Sequence, residues 1–440
     1  MRKIIIIGIF ITAGIFPVFI QAQEAWTLRQ CIDYAIEHNI NIRQSGISVE
    51  QSKVEVNTSK WARLPNLNGS TGQNFSWGRA ASPIDNTYTN TNSANTSFGL
   101  STNVPLFTGL QIPNQYELSQ LNLKAAIEDL NKAKDDIALN VASGYVQVLF
   151  NQELSEVAKE QVVISSAQLD RMLRLAEMGK ASPAQVAEAK ARLAQDETSA
   201  VQAENNYYLA LLDLSQLLEL PNPESFTIIA PNIELDFVPL TAPDVIYEQA
   251  ITDKPGILAA QYRLEGSEKS IRIAQSAYYP QLSLSGGLST SYYTMSGRDS
   301  DAFNSQLSNN LNKYIGISLN IPLFNRFSIR NRVYSARLQQ TYYSLQLENS
   351  KKALYKEIQQ AWYNALAAES KYKSSNVSVV ANEEAFRLTN EKFENGKATS
   401  IEYNEAKLNL MRATSDRIQS KYEYLFRTKI LDFYKGLPIQ

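Results

Sequence analysis

The chain has 440 residues, with 42 Lys and Arg against 44 Asp and Glu and a formal net charge of −2, which leaves no basic footprint for nucleic acid. One Cys and one His exclude a disulfide within the chain and argue against a zinc site built from Cys and His. Tyrosine is abundant, at 23 residues, and suits surfaces that are apolar on one side and wet on the other.

Residues 1–22 read as a secretory signal peptide. Arg2 and Lys3 begin it, an apolar run from Ile4 to Ile20 follows, and Ala22 offers a small residue at the cut. Pro17 interrupts that run, which is short for a retained membrane anchor. Leu28-Arg29-Gln30 before Cys31 lacks the small-residue pattern of a lipoprotein cut, so Cys31 is expected on a helix facing its neighbours. From Thr27 to about Arg63 the pattern is helical, with Leu28, Cys31, Ile32, Ala35 and Ile36 on one side. His38 is expected as a surface or capping residue.

The period then changes from about 3.6 to 2. Leu67, Gly69, Thr71, Phe75 and Trp77 alternate with polar partners, as do Phe98, Leu100, Thr102 and Val104. Each segment is about ten residues, enough for a tilted strand to cross a bilayer. The polar stretch from Gly78 to Thr96 reads as a long exposed loop. A long helix follows, with Pro113 in its first turn and a seam at Ile137, Val141, Gly144, Val148, Asn151, Ser155, Ala158, Val162, Ser165, Leu169, Met172 and Ala176. Steps of alternating four and three are a coiled-coil pattern. Gly179 suits a left-handed helix stop, and Pro183 opens a returning helix to about Leu220. The segment 221–243 is proline-punctuated, with Phe226 to Ile229 as one short strand, and reads as a cross-connection packed outside the helical body.

The second half repeats the first. A helical pattern from about Asp244 to Ala277 leads to Leu282, Leu284, Gly286, Leu288, Thr290 and Tyr292, then a loop from Ser296 to Lys313, then Ile315, Ile317, Leu319 and Ile321. Asn325 to Asn395 contains no Gly and no Pro, and its seam from Leu354 to Phe393 lies 217 residues beyond the first. Val104-Pro105-Leu106-Phe107 matches Ile321-Pro322-Leu323-Phe324, and Gly179-Lys180-Ala181-Ser182 matches Gly396-Lys397-Ala398-Thr399 at the same offset. Upstream, Ala35 pairs with Ala250 and Pro65 with Pro280. This is an internal two-fold duplication: a first repeat over 23–220, a connection over 221–243 and a second repeat over 244–440. Phe75, Trp77, Phe107, Tyr292, Tyr293, Tyr314 and Phe324 cluster at strand ends, as aromatic girdles do at membrane interfaces.

Four strands cannot close a barrel, and open edges do not persist in lipid. The remaining strands must come from further copies: two copies give eight, three give twelve with room for a bore. The fold class expected is therefore a mixed membrane protein, with all-α coiled-coil hairpins and a transmembrane β-barrel completed by further copies.

With Leu64-Pro65-Asn66-Leu67 and Tyr279-Pro280-Gln281-Leu282 before the strands, the two Pro-Leu-Phe endings and the two Gly-tipped hairpins, the chain resembles the outer membrane factor family of TolC-like exit ducts. The resemblance implies a homotrimer whose twelve-stranded barrel, four strands per chain, sits in outer membrane lipid of a Gram-negative bacterium, above a helical barrel in the periplasm. It also implies a periplasmic adaptor docked at the tips, Gly179, Lys180, Ala181, Ser182 and Gly396, Lys397, Ala398, Thr399, and an inner-membrane pump. The function implied is that of a passive exit channel in a tripartite efflux or type I secretion system, without a cofactor. An acidic ring near the periplasmic entrance falls on Glu402 and Glu405, which share a helix face and, as a ring, would favour cations. Family links that lock the entrance meet Ala398, Gln185 and Phe393 here, in place of Arg, Asp and Tyr.

Two other classes compete with a duct. One is a secreted coiled-coil scaffold or adhesin with soluble β-hairpins. The other is an enzyme, for which Glu402 and Glu405 on an exposed helix lack a pocket to shift their pKa values; no enzyme activity is expected.

Overall fold

The computed structural model describes residues 25–81, 87–221, 226–230, 237 and 239–439; the expected signal peptide and part of the connection lie outside them. In chain order the elements are α1 (Leu28–His38), α2 (Ile40–Trp61), β1 (Asn68–Ala81), β2 (Tyr88–Phe107), α3 (Gln111–Glu177), α4 (Pro183–Leu217), α5 (Pro243–Asp253), α6 (Pro255–Ser276), β3 (Gln281–Met295), α7 (Phe303–Asn309), β4 (Asn312–Asn320), α8 (Ser328–Glu394) and α9 (Ser400–Tyr434). α3 and α8 have 67 residues each, and α4 and α9 have 35 each. A 67-residue helix is about 100 Å long at 1.5 Å per residue.

The seams do the packing. Val141, Val148 and Ser155 of α3 and Ile358, Ala365, Ser375 and Val379 of α8 are buried, so small residues let helices approach closely. One core gathers α1, α3 and α4 with Phe226 and Ile228; a second gathers Ile246 and Ala250 of α5 with Leu354, Ile358 and Leu431. Cys31 is fully buried, and burial pushes its thiol up to about 12.

Several expectations need correction. The single helix read over Thr27 to Arg63 is broken at Asn39, whose side chain accepts from Asn41 N and Ile42 N and restarts the helix as α2. Its counterpart breaks at Lys254, before Pro255, because a residue preceding proline is pushed out of the helical region. The loop read from Gly78 to Thr96 is mostly strand, since β1 runs to Ala81 and β2 starts at Tyr88. The loop read from Ser296 to Lys313 contains α7. Phe226 to Ile229 forms one bridge, Trp26 to Ile228, rather than a strand.

The four strands form one antiparallel sheet in the order β1-β2-β3-β4. Residues paired across the ladder share a face. One face carries Phe75 and Trp77, Phe98 and Leu100, Leu284 and Leu288, and Ile315, Ile317 and Leu319. The other carries Ser70 and Asn74, Ser97 and Ser101, Ser285 and Ser289, and Ser318. Tyr293 and Tyr314 lie on this polar face, opposite Phe75, Trp77 and Tyr292; Tyr314 packs over Gly287, where a side chain would collide with its ring. Among the described residues no helix is long and apolar enough to cross a membrane.

β4 is short and pairs only with Gln281 to Ser289 of β3. α7 covers the rest of that edge. The Gln306 side chain accepts from Tyr293 N at 2.8 Å and donates to Tyr293 O at 3.0 Å, reproducing the two bonds of a neighbouring strand. Phe303 packs edge-on against Phe98 and Tyr292.

Strand passes to helix through two consecutive left-handed residues in each half: Gly109 and Leu110 (φ 62° and 68°), and Arg326 and Phe327 (φ 54° and 63°). Gly109 is required where it stands, because an added Cβ would lie 2.4 Å from the Ser276 carbonyl oxygen.

Candidate functional site at the hairpin tips

The end of the molecule farthest from the sheet is built by two helix hairpins, α3–α4 and α8–α9. At each tip a glycine takes the left-handed conformation, Gly179 with φ 70° and Gly396 with φ 67°. Lys180 N then donates to Leu175 O and Lys397 N to Lys392 O, both at 2.8 Å, satisfying carbonyls at the helix ends. The returning helices start with matched capping boxes: Ser182 with Gln185, and Thr399 with Glu402. Gly179, Lys180, Ser182, Gly396, Lys397 and Thr399 are exposed, and Ala181 and Ala398 are half-buried.

Glu402 and Glu405 both lie on the outer turns of α9 and are exposed. They are not equivalent. The Glu402 carboxylate accepts from Thr399 N at 2.7 Å and Thr399 Oγ1 at 3.0 Å, and these bonds hold its pKa below the usual carboxylate range. It is turned back toward the tip, whereas among the described residues no side-chain hydrogen bond or ion pair holds Glu405.

Polar contacts between the two hairpins were not legible in the sequence. Arg171 of α3 meets Glu394 at 3.3 Å. Glu188 of α4 accepts from Ser400 Oγ at 3.0 Å and from Asn404 Nδ2 at 3.1 Å. Deeper, Lys407 of α9 donates to Ser165 Oγ at 2.8 Å and lies 3.3 Å from Asp196, which also accepts from Ser165. All three side chains are buried. Burial holds the Lys407 pKa below the ordinary lysine value, and Asp196 opposes that shift. Beside them Tyr403 is buried and stacks on Phe393 at 4.8 Å. Counterparts at the 217-residue offset show why pattern reading missed this: Asp196 corresponds to Ala413 and Lys407 to the exposed Lys190. The signal in the sequence was Asp196 standing opposite Ala413 between otherwise repeating halves, since the lysine itself repeats.

Arg171, Glu188, Asp196 and Lys407 make their polar contacts across helices, and among the described residues no group of His, Cys, Asp and Glu is arranged to hold a metal ion.

A family model described as outer membrane efflux protein matches residues 31–219 and 246–433. Outer membrane protein TolC of Salmonella enteritidis is 23% identical over 99% of this chain and 86% of that protein. TolC of Escherichia coli strain K12 is 23% identical over 97% of this chain and 84% of the relative. Among solved structures, the Campylobacter jejuni CmeC outer membrane channel superposes with a TM-score of 0.78 at 19% identity, covering 93% of this chain and 85% of that one. VceC, an outer membrane protein of Vibrio cholerae, gives 0.76 at 17% identity over 94% and 97%.

Proposed function

Because the chain belongs to the outer membrane efflux protein family, we propose that three copies close into one passive duct: a twelve-stranded barrel in the outer membrane above a helical barrel in the periplasm. The observation that carries this reading is a pair of open sides at both levels. β1 and β4 each have one unpaired edge, and open edges are not sustained in lipid. In the helical layer directly beneath, α2 packs on α3, α3 on α6 and α6 on α8. The free side of α2 presents Ile40, Ile47, Val54 and Trp61, seven residues apart and exposed, and α8 presents Leu338 and Leu345 at the same spacing. A second copy supplies what each side lacks. Three copies give a bore, where two would fill the interior with side chains. The Ser- and Asn-rich face then lines the bore and the apolar face meets lipid. Exposure of 84% at Ile315 and 70% at Ile317 disfavours a water-soluble scaffold.

In this reading 23–220 and 244–440 act as equivalent repeats joined by 221–243. A periplasmic adaptor docked at Gly179–Ser182 and Gly396–Thr399 couples the duct to an inner-membrane pump. Glu405, with Glu402 behind it, forms the acidic ring at the entrance.

Cysteines placed at Val54 and Leu338 test the assembly. Oxidation should link chains into a three-chain species; chains that remain single would sink it.

A further inference from the structure

We propose that the junction between sheet and helices is a basic collar that binds anionic phospholipid headgroups of the periplasmic leaflet. The proposal rests on the membrane reading above. Just beneath the sheet, Lys60 lies in the last turn of α2 and Arg63 beyond it, Arg272 stands near the end of α6, Arg326 precedes α8, and Arg330 and Arg337 lie in its first turns. All six are exposed, and none of them forms an ion pair among the described residues. The same stretches carry no acid: residues 56–67, 108–116, 269–280 and 321–347 contain neither Asp nor Glu. In a chain whose net charge is −2, this is a marked segregation. At the opposite end of the sheet the charges are mixed, with Arg298 beside Asp299 and Asp301.

Geometry turns the collar outward. Ile329 and Val333 mark the side of α8 buried against Ala274 of α6. Arg330 and Arg337 follow one line of α8 beside that side, seven residues apart, and Arg326 precedes the helix in its left-handed turn. Eighteen residues, about five turns, further along the same line stands Tyr355, which packs on Tyr247 and donates to Asp244 of α5. α5 is an added layer around the ring of long helices, so the arginine line faces the outer side. Arg332 lies about half a turn away from Arg330 and is not part of it. Between the arginines and the apolar sheet face lie exposed Leu323, Phe324 and Phe327. Apolar and aromatic groups next to unpaired cations match the acyl-to-headgroup boundary.

The partner is a lipid phosphate rather than a second copy of the chain, because cations without acids repel their own image. Each basic residue near an anionic surface contributes about five-fold in affinity.

The test uses the full chain in vesicles of phosphatidylcholine and phosphatidylglycerol in equal amounts, with lipids retained after extraction counted by native mass spectrometry. Phosphatidylglycerol should be enriched several-fold over bulk. Lys60→Gln with Arg330→Gln and Arg337→Gln should remove most of that enrichment while leaving subunit number unchanged, and 0.5 M salt should weaken it. Insertion with no headgroup preference, or enrichment abolished equally by inorganic phosphate, would overturn the collar alone. Failure to insert in any vesicle would overturn the membrane reading with it.

Discussion

Asp196 and Lys407 meet 3.3 Å apart inside the molecule, joining the first helix hairpin to the second, although the internal duplication places Ala413 and an exposed Lys190 at their counterpart positions. The repeat builds two similar hairpins; this pair fastens them asymmetrically. A buried pair is weak evidence for net stabilisation, but removing one partner strands the other in the interior. Asp196→Ala should therefore destabilise the protein by about 3 kcal/mol, read as a lowered unfolding midpoint. Asp196→Ala combined with Lys407→Met should recover much of that loss. Equal loss in the single and double variants would show that the pair is not coupled.

The same pair fixes a pH dependence. Burial lowers the Lys407 pKa, with Arg192 adding to the shift and Asp196 opposing it. The unfolded chain thus binds the proton more tightly, so stability should rise as pH climbs from the lowered value toward the ordinary lysine range near ~10.4. Lys407→Met should flatten that part of the profile, checked by denaturation across alkaline pH.

In the proposed acidic ring, Glu402 is held by Thr399 and Glu405 is not. Glu405→Gln should reduce cation preference in planar-bilayer recordings more than Glu402→Gln does. Gln185 makes the same capping box in the first hairpin, so Glu402→Gln should leave the tip intact. Thr399→Ala should lower stability by about 1 kcal/mol. Unchanged ion selectivity in both Gln variants would remove the ring.

Gly179 and Gly396 both have φ near 70° with open space around them. Substitution by Val at either should strain only the tip, by about 1–2 kcal/mol. Adaptor co-purification should fall while subunit number holds; normal co-purification would move the docking surface elsewhere.

Gln306 replaces the missing upper part of β4 with its own amide. Gln306→Ala leaves the Tyr293 amide and carbonyl without those partners and should destabilise this edge by about 1–3 kcal/mol. Hydrogen exchange at Tyr293 should accelerate; unchanged protection would mean that another group covers the edge.

The long helices could be read from sequence because an apolar period sustained over many turns has no competing interpretation, and because Gly179 and Gly396 end them. The tops of β1 and β2 could not. From Asn90 to Thr96 both faces carry Asn, Ser and Thr, so no alternation distinguishes a strand lining water from a loop. The break at Asn39 was hidden because the apolar pattern passes through it, and only its capping side chain reveals it. Asp196 and Lys407 are far apart in sequence and leave no local signal. Their meeting follows from α4 and α9 both packing on α3, an arrangement set by the whole fold.

The measurement that bears most directly on the duct is the mass of the detergent-extracted particle by native mass spectrometry. Three copies, held together in detergent and retained in outer membrane fractions, are expected. A single copy that stays dispersed in water without detergent would contradict it.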